Sequence, residues 1–249
     1  MKAAGLSHIG KIRTNNEDAY YIDRRLNLIA VADGMGGHKA GEIASGIAVE
    51  ALASMNGLAQ QEALQPVEVF RRIFSEANQQ IWDKAHENED CKGMGTTLTS
   101  VWLVDGLAYV AHVGDSRAYR KHDGVFRQIT RDHTLVEELI KNGTIDREAA
   151  LCHPQKNVLM KAVGADDSVS PDLHEIEAQA GDLFFLCSDG LTHYLKDEEI
   201  AEILAEQRTL EERLSKLIEL ALERGGADNI TAVAIELEEQ GGEAQWTES

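Results

Sequence analysis

The sequence predicts an α+β domain in which an antiparallel sheet is covered by helices, and three observations carry that prediction. Two dipeptides, Asp105-Gly106 and Asp123-Gly124, each stand between β-branched, aromatic runs. That is the setting of a type I′ hairpin, whose two central residues need positive φ. Apolar residues at helical spacing flank this hairpin region, with Val67, Phe70, Phe74, Ala77 and Ile81 before it and Leu210, Leu214, Leu217 and Ala221 after it. Finally, the order of elements is helices, hairpins, helices and a last strand. Strand and helix do not alternate, so βαβ units are not expected.

Taken along the chain, Leu26 to Ala32 is a short apolar run and reads as a buried strand. Gly41 to Met55 reads as a helix with Ile43, Ala44, Ile47, Ala48 and Ala51 on one side, and Val67 to Lys84 as a second. The hairpin strands follow. Asp132 to Asn142 reads as a short helix, with Asp132 and Thr134 available as caps and Gly143 suited to its end. Thr144 to Pro171 has mixed signals and reads as a small subdomain. Asp182 to Cys187 is another buried strand. Asp197 to Glu206 and Leu210 to Arg224 are helices, the second stopped by Gly225-Gly226. Asn229 to Leu237 alternates as a final strand, and residues 241–249 form an acidic tail. One domain over residues 1–240 is the expectation for 249 residues.

Composition narrows the function. The chain is 43% hydrophobic and 27% charged, with a formal net charge of -19. Nucleic-acid binding needs a basic face, and so does adhesion to an anionic membrane, so neither partner is expected. Cys91, Cys152 and Cys187 are far apart with no CxxC pair, which argues against a disulfide framework or structural zinc. They are expected to be packing residues. Residues 1–18 contain no long apolar stretch and no run approaches a membrane span. A cytoplasmic, soluble monomer is the expectation.

Aspartates recur where strands end. "LIAVADG" closes on Asp33-Gly34, "LAYVAHVGD" on Gly114-Asp115 and "LFFLCSDG" on Asp189-Gly190, while Asp228 stands just before the last strand. A lone Asp-Gly is ordinary turn chemistry, and Asp105 and Asp123 are read that way. The other four lack a symmetrical hairpin setting. Brought together, they would repel one another unless cations lay between them. Oxygen donors favour Mg²⁺ or Mn²⁺ over zinc, and two such ions are a device for phosphoryl hydrolysis. Near the N-terminus, Arg13 precedes Asn16, Glu17 and Asp18. It could grip a phosphate through bidentate hydrogen bonds or form an i,i+4 surface pair with Glu17, and spacing alone leaves both open.

The stretches "RTNNED", "VADGMGGHKAGEIAS", "GMGTTL", "HVGDSRAY", "LCSDGL" and "ADNITAV" occur in the order seen in the metal-dependent type 2C protein phosphatases. The sequence resembles the short bacterial members from about Leu6 to about Leu237. Each motif is weak alone; six in register are specific. The resemblance implies two packed antiparallel β-sheets flanked by α-helices, an α-β-β-α sandwich, with a flap over about residues 142–163. It implies hydrolysis of phosphoserine and phosphothreonine in proteins, with Mn²⁺ or Mg²⁺ as two core ions and a third, weaker one. Asp33 would bridge the core ions, the Gly34 carbonyl would help bind one, and Asp189 and Asp228 would hold the other. Asp115, with Asp189, would bind the third. Glu17 and Asp18 would support the metal waters from behind, Asn229 and the Gly95-Thr96-Thr97 turn would shape the site, and Arg13 would hold the substrate phosphate. A water between the core ions would attack phosphorus directly, and a serine/threonine kinase is the expected opponent. Many eukaryotic relatives carry histidine after the bridging Asp-Gly; here Met35 stands there and cannot donate a proton. A metal-bound water, or His38, is then the candidate acid.

Rival readings are specific enough to test. "GDSRA", Gly114 to Ala118, imitates the nucleophile elbow of a serine acyl hydrolase but ends in alanine and lies between strands. A catalytically silent, phosphoprotein-binding module of the same fold would be expected to lose metal aspartates, yet Asp33, Asp189 and Asp228 are present. "GMGGHKAG" lacks the Lys-Ser or Lys-Thr of a P-loop. His112, within an apolar strand, reads as a satisfied core residue. His8, His86, His122, His174 and His193 show no ligand spacing, while His133 and His153 flank the flap.

Overall fold

The structure is a computed structural model and describes residues 1–36, 40–55 and 64–238. Among the described residues, eleven strands form two sheets in which every pairing is antiparallel. The first runs in the order β1 (Lys2–His8), β11 (Ile230–Glu236), β10 (Leu183–Cys187), β7 (Arg117–His122), β8 (Val125–Gln128). The second runs β2 (Asp18–Asp23), β3 (Leu28–Met35), β5 (Leu98–Val104), β6 (Leu107–Val113), β9 (Asp172–Glu177), with the short β4 (Gly95–Thr96) beside β3. The helices are α1 (Ala40–Ala53), α2 (Pro66–Glu87), α3 (Leu135–Lys141), α4 (Arg147–Leu151), α5 (Asp189–Thr192), α6 (Asp197–Leu204) and α7 (Leu210–Glu223).

The two-residue period of the strands builds the layers. In β3, Ile29 and Val31 face the other sheet, where Phe184, Leu186, Val233 and Ile235 meet them. Leu28, Ala30 and Ala32 turn the opposite way, onto the α1 and α2 residues Ala44, Ala48, Phe70 and Phe74. In β10, Leu183, Phe185 and Cys187 face Leu214 and Leu217 of α7. Both faces of β3 and β10 are therefore dry, so these strands read as apolar runs rather than alternating ones. The result is the expected α-β-β-α sandwich.

Local chemistry sets the ends of the elements. Asp105 and Gly106 have φ of 48° and 80°, and Asp123 and Gly124 have 47° and 75°, as the hairpin reading requires. Pro66 opens α2, where its missing N–H costs nothing. Thr209 and Glu212 close a reciprocal capping box on α7.

Several expectations need correction. β3 does not stop before Asp33 but runs through Gly34 to Met35. Strands β1, β2 and β9 were not expected. The helix expected from Asp132 starts at Leu135, with the Thr134 hydroxyl accepting from the Glu137 N–H. Asp189 opens a short helix instead of ending a strand. Cys91 and Cys187 are buried, but Cys152 is exposed and so is not a core residue. The flap carries α4 and is tied to β4 by paired Thr96 and Val163 backbone bonds of 3.0 and 2.8 Å. His38 and the acidic tail, residues 241–249, lie outside the described residues.

Candidate active site

The site lies where the ends of both sheets meet. Register places Asp18 of β2 directly opposite Asp33 of β3. The Asp33 backbone is held on both sides: its N–H donates to Thr97 Oγ1 at 2.8 Å, and its carbonyl accepts from the Thr97 N–H and the Thr96 hydroxyl, each at 2.9 Å. Gly34 donates its N–H to the Glu17 carbonyl at 3.0 Å. A Cβ at Gly34 would lie 2.0 Å from the Gly41 carbonyl oxygen, so only glycine lets the start of α1 approach this strand.

From the other sheet come Asp189 and Asp228. Asn229, beside Asp228, is buried and fully used. Its Oδ1 accepts from the Glu17 N–H at 2.8 Å, and its Nδ2 donates to the Ile9 and Asn15 carbonyls at 2.8 and 2.9 Å. One amide thus fastens the Arg13–Asp18 segment to the residues that carry Asp228 just before β11. Arg13 Nη2 donates to Asp228 Oδ2 at 2.9 Å, while Nη1 reaches Glu17 at only 3.5 Å. The i,i+4 pair with Glu17 is therefore the weaker of the two contacts, and the guanidinium sits at the rim of the carboxylate cluster. Asp115 enters from the turn between β6 and β7.

Electrostatics shows how tightly these groups are gathered. Burial pushes the Asp33 carboxyl well above its usual range, and the charges of Asp18, Asp189, Asp115 and Asp228 push the same way. Asp115 is raised to about 8 by burial, then by Asp189 and Asp132. Asp18 is raised to about 7 by burial, although the Ser188 hydroxyl donates to it at 2.7 Å. Burial also raises Asp189, against the pull of His193, and raises Glu17, against Arg13. Asp33, Asp115, Asp189 and Asp228 are therefore brought together, with Asp18 paired opposite Asp33 and Glu17 within the fields of Arg13 and Asp228.

This donor set fits divalent cations. Adjacent buried carboxylates are costly as anions unless positive charge lies among them, and Asp18 Oδ1 is buried with no hydrogen-bond partner. Among the described residues, no three acidic, histidine or cysteine side chains close tightly enough to enclose an ion alone. Water would have to complete the coordination, as is usual for Mg²⁺ and Mn²⁺.

Some participants were not visible in the sequence. Ser116, whose Oγ lies 2.7 Å from Thr97 Oγ1, backs the turn that the resemblance had already assigned to the site, where Thr97 Oγ1 accepts from the Asp33 N–H. Ser188 joins Asp18 to the Thr231 N–H, at 3.0 Å. His193, set aside for want of ligand spacing, places Nδ1 3.5 Å from Asp189 Oδ2 and Nε2 3.3 Å from Asn157 of the flap. The only available cue was its i,i+4 offset from Asp189. His112 is satisfied as expected, by Thr99 and the Arg131 carbonyl. A cavity of about 920 Å³ extends from Asp115, Asp189 and His193 to Arg147, Leu151 and Asn157 in and around the flap. Ser116 is buried and bonded to Thr97, with no histidine bonded to it among the described residues, so "GDSRA" does not present a nucleophile.

Comparison with known proteins gives one answer. The protein phosphatase 2C family model matches residues 4–231. A putative protein phosphatase 2C-type protein of Streptococcus pyogenes is 40% identical over 96% of this chain and 99% of its own length. The crystal structure of the Mycobacterium tuberculosis serine/threonine phosphatase PstP/Ppp superposes with a TM-score of 0.89 at 40% identity, covering 96% of this chain and 99% of that one. A structure of the PstP catalytic domain in complex with two manganese ions superposes with a TM-score of 0.84 at 38% identity, covering 96% and 98%.

Proposed function

This chain belongs to the protein phosphatase 2C family, and from that premise we propose that it hydrolyses phosphoserine and phosphothreonine in proteins directly, without a phosphoenzyme. The enzyme class, protein serine/threonine phosphatase, and the dependence on Mn²⁺ or Mg²⁺ follow from the family. The observation that carries the direct mechanism is the gathering of Asp33, Asp115, Asp189 and Asp228 with Arg13 at its rim.

Two divalent ions, when bound, acidify water for in-line attack on phosphorus and offset charge on the phosphoryl oxygens. Asp33, the Gly34 carbonyl, Asp189 and Asp228 would hold that pair, and Asp115 with Asp189 a third ion. Glu17 and Asp18 stand behind and orient. Arg13, held by Asp228 through Nη2, is positioned to receive the phosphoryl oxygens with a planar donor fork. Met35 follows Gly34 and has no proton to give, so the leaving serine alkoxide is protonated from another position. The substrates are phosphoproteins, the opposing activity is a serine/threonine kinase, and the protein acts as a cytoplasmic monomer. Among the described residues no helix is long and apolar enough to cross a membrane.

The test is hydrolysis of p-nitrophenyl phosphate and of a phosphothreonine peptide with Mn²⁺, with Mg²⁺ and with EDTA. Phosphate release that needs metal and stops with EDTA is the expected result. Folded protein that releases none under any metal would overturn the assignment in favour of a phosphoprotein-binding module.

A further inference from the structure

Asp115 follows a residue that the structure grips unusually firmly. Gly114 has φ of 113°, and a Cβ there would lie 2.5 Å from Thr97 Cβ. The turn is thus a conformation that side-chain-bearing residues avoid, and it needs an outside hold. One residue supplies it to both backbone groups of Gly114. The Gly114 N–H donates to His133 Nδ1 at 3.0 Å, and the Gly114 carbonyl accepts from the His133 N–H at 2.7 Å.

The bonds around the ring determine its form. A backbone N–H can only donate, so His133 Nδ1 accepts and the proton sits on Nε2. Nε2 lies 3.1 Å from Asp172 Oδ2, and Lys161 holds the other oxygen of Asp172 at 3.0 Å. Burial alone would raise the Asp172 carboxyl, but hydrogen bonds from Lys161 and His133 hold it down at about 2, so it remains an anionic acceptor. The face of the His133 ring stacks on His112, with centroids 4.7 Å apart. His112 is itself fixed by Thr99, whose hydroxyl also lies 3.2 Å from the Ser116 carbonyl. Both residues flanking Asp115 are therefore tied to one His112–His133 stack, and none of these groups reaches the carboxylate itself.

We propose that His133 is a positioning residue for Asp115: by clamping both backbone groups of Gly114 it holds the Asp115 carboxylate toward Asp189 and so sets the affinity for the cation they share. This rests on the reading of Asp115 as an ion ligand made above. Residues that orient a ligand from outside the coordination sphere influence metal affinity by about 10- to 100-fold. His133→Phe keeps a ring against His112 but removes the acceptor. His133→Asn keeps an acceptor at the place of Nδ1 while losing the contact to Asp172.

The experiment is calorimetric Mn²⁺ titration, with Mn²⁺-dependent turnover alongside, on the wild type, Asp115→Ala, His133→Phe and His133→Asn. The expected result is that Asp115→Ala loses the weakest Mn²⁺ and that His133→Phe weakens the same ion about tenfold without altering the tighter ones. His133→Asn should return to within about threefold of the wild type. If Asp115→Ala binds every ion as the wild type does, the reading of Asp115 fails and the proposal falls with it. If Asp115→Ala loses the ion but His133→Phe titrates like the wild type, the clamp alone is refuted. An Asn variant as impaired as Phe also refutes it. Should His133→Phe not fold, Asn against His133→Gln, whose amide extends past Gly114, makes the same comparison; equal affinities would overturn the proposal.

Discussion

Replacing Thr97 by valine probes the link between the fold and the catalytic carboxylates. The two side chains have nearly the same shape, so packing is preserved and only the hydroxyl is lost. That hydroxyl accepts from the Asp33 N–H at 2.8 Å and lies 2.7 Å from Ser116 Oγ, and Thr97 is 1% exposed, so water cannot take its place. A buried donor left without an acceptor costs about 1–3 kcal/mol, and the orphaned Ser116 hydroxyl adds to that, giving about 2–4 kcal/mol in total. For a domain of this size the melting temperature should fall by about 4–16 °C. Thr97→Ser keeps the hydroxyl and loses one methyl group, which costs about 1 kcal/mol. The assay is urea and thermal unfolding of both variants, with Mn²⁺-dependent hydrolysis of p-nitrophenyl phosphate measured in parallel. Thr97→Val should lose turnover about tenfold, because Asp33 is no longer held in register, while Thr97→Ser should stay near the wild type. If serine is as damaging as valine, the methyl group matters and the hydroxyl does not, and the reasoning fails. The same holds if valine melts with the wild type.

Asp33→Asn should abolish hydrolysis while leaving the metal-free protein at least as stable, because it removes a charge from a crowded anionic site; near-normal activity would remove Asp33 from the centre. Arg13→Ala should raise KM for a phosphothreonine peptide more than it lowers kcat, and an unchanged KM would leave Arg13 as a partner of Asp228 only. Stability should also depend on pH in a metal-sensitive way. Asp18 and Asp115 have native pKa values of about 7 and about 8, above the roughly 3.9 of an unfolded aspartate. The native chain therefore holds protons that the unfolded chain has shed, and stability falls as pH rises through that interval. Buried His112, lowered to about 3, acts in the opposite direction, but only up to about pH 6.5. From about pH 6.5 to 8 the metal-free protein should lose about 2 kcal/mol, and saturating Mn²⁺ should flatten the profile. Denaturant melts in EDTA whose midpoints rise over that interval would contradict the electrostatic account.

What the sequence disclosed was what depends on neighbours in the chain. The Asp-Gly hairpins were legible because positive φ is a property of two adjacent residues. The helices α2 and α7 were legible because their apolar faces repeat every three or four positions. By contrast β1, "KAAGLSH", has an exposed edge and few large apolar residues, and β9, "DLHEIE", is mostly solvent-facing at the outer edge of its sheet. Such strands are defined by the partner they pair with, and no local pattern announces that partner. The end of β3 was misjudged for a related reason. Asp33 and Gly34 are poor strand formers, yet they stay in register because Asp18 and Thr96 pair with them from distant segments.

The site divides along the same line. Asp33 and Asp189 drew attention because a carboxylate beside glycine at the end of an apolar run is conspicuous by itself, and Asp228 because it stands just before the last strand, shortly after Gly225-Gly226. The groups that hold them are hydroxyls, an amide and histidines acting across gaps of 64 residues for Asp33 and Thr97, 170 for Asp18 and Ser188, and 212 for Glu17 and Asn229. Each makes an ordinary hydrogen bond that no local pattern announces; Thr97 and Asn229 were pointed to only by the resemblance, and Ser188 was not singled out at all. Their importance comes from what they resist. Like charges this near would separate if the backbone gave way, so the site can exist before any cation arrives only if the positions of the aspartates are fixed by contacts independent of the carboxylates. The structure meets that condition at Asp33 through Thr97, at Asp228 through Asn229 and at Asp115 through the turn at Gly114. A site held in this way is strained toward cation binding, because bringing in positive charge relieves repulsion that the scaffold does not allow to relax.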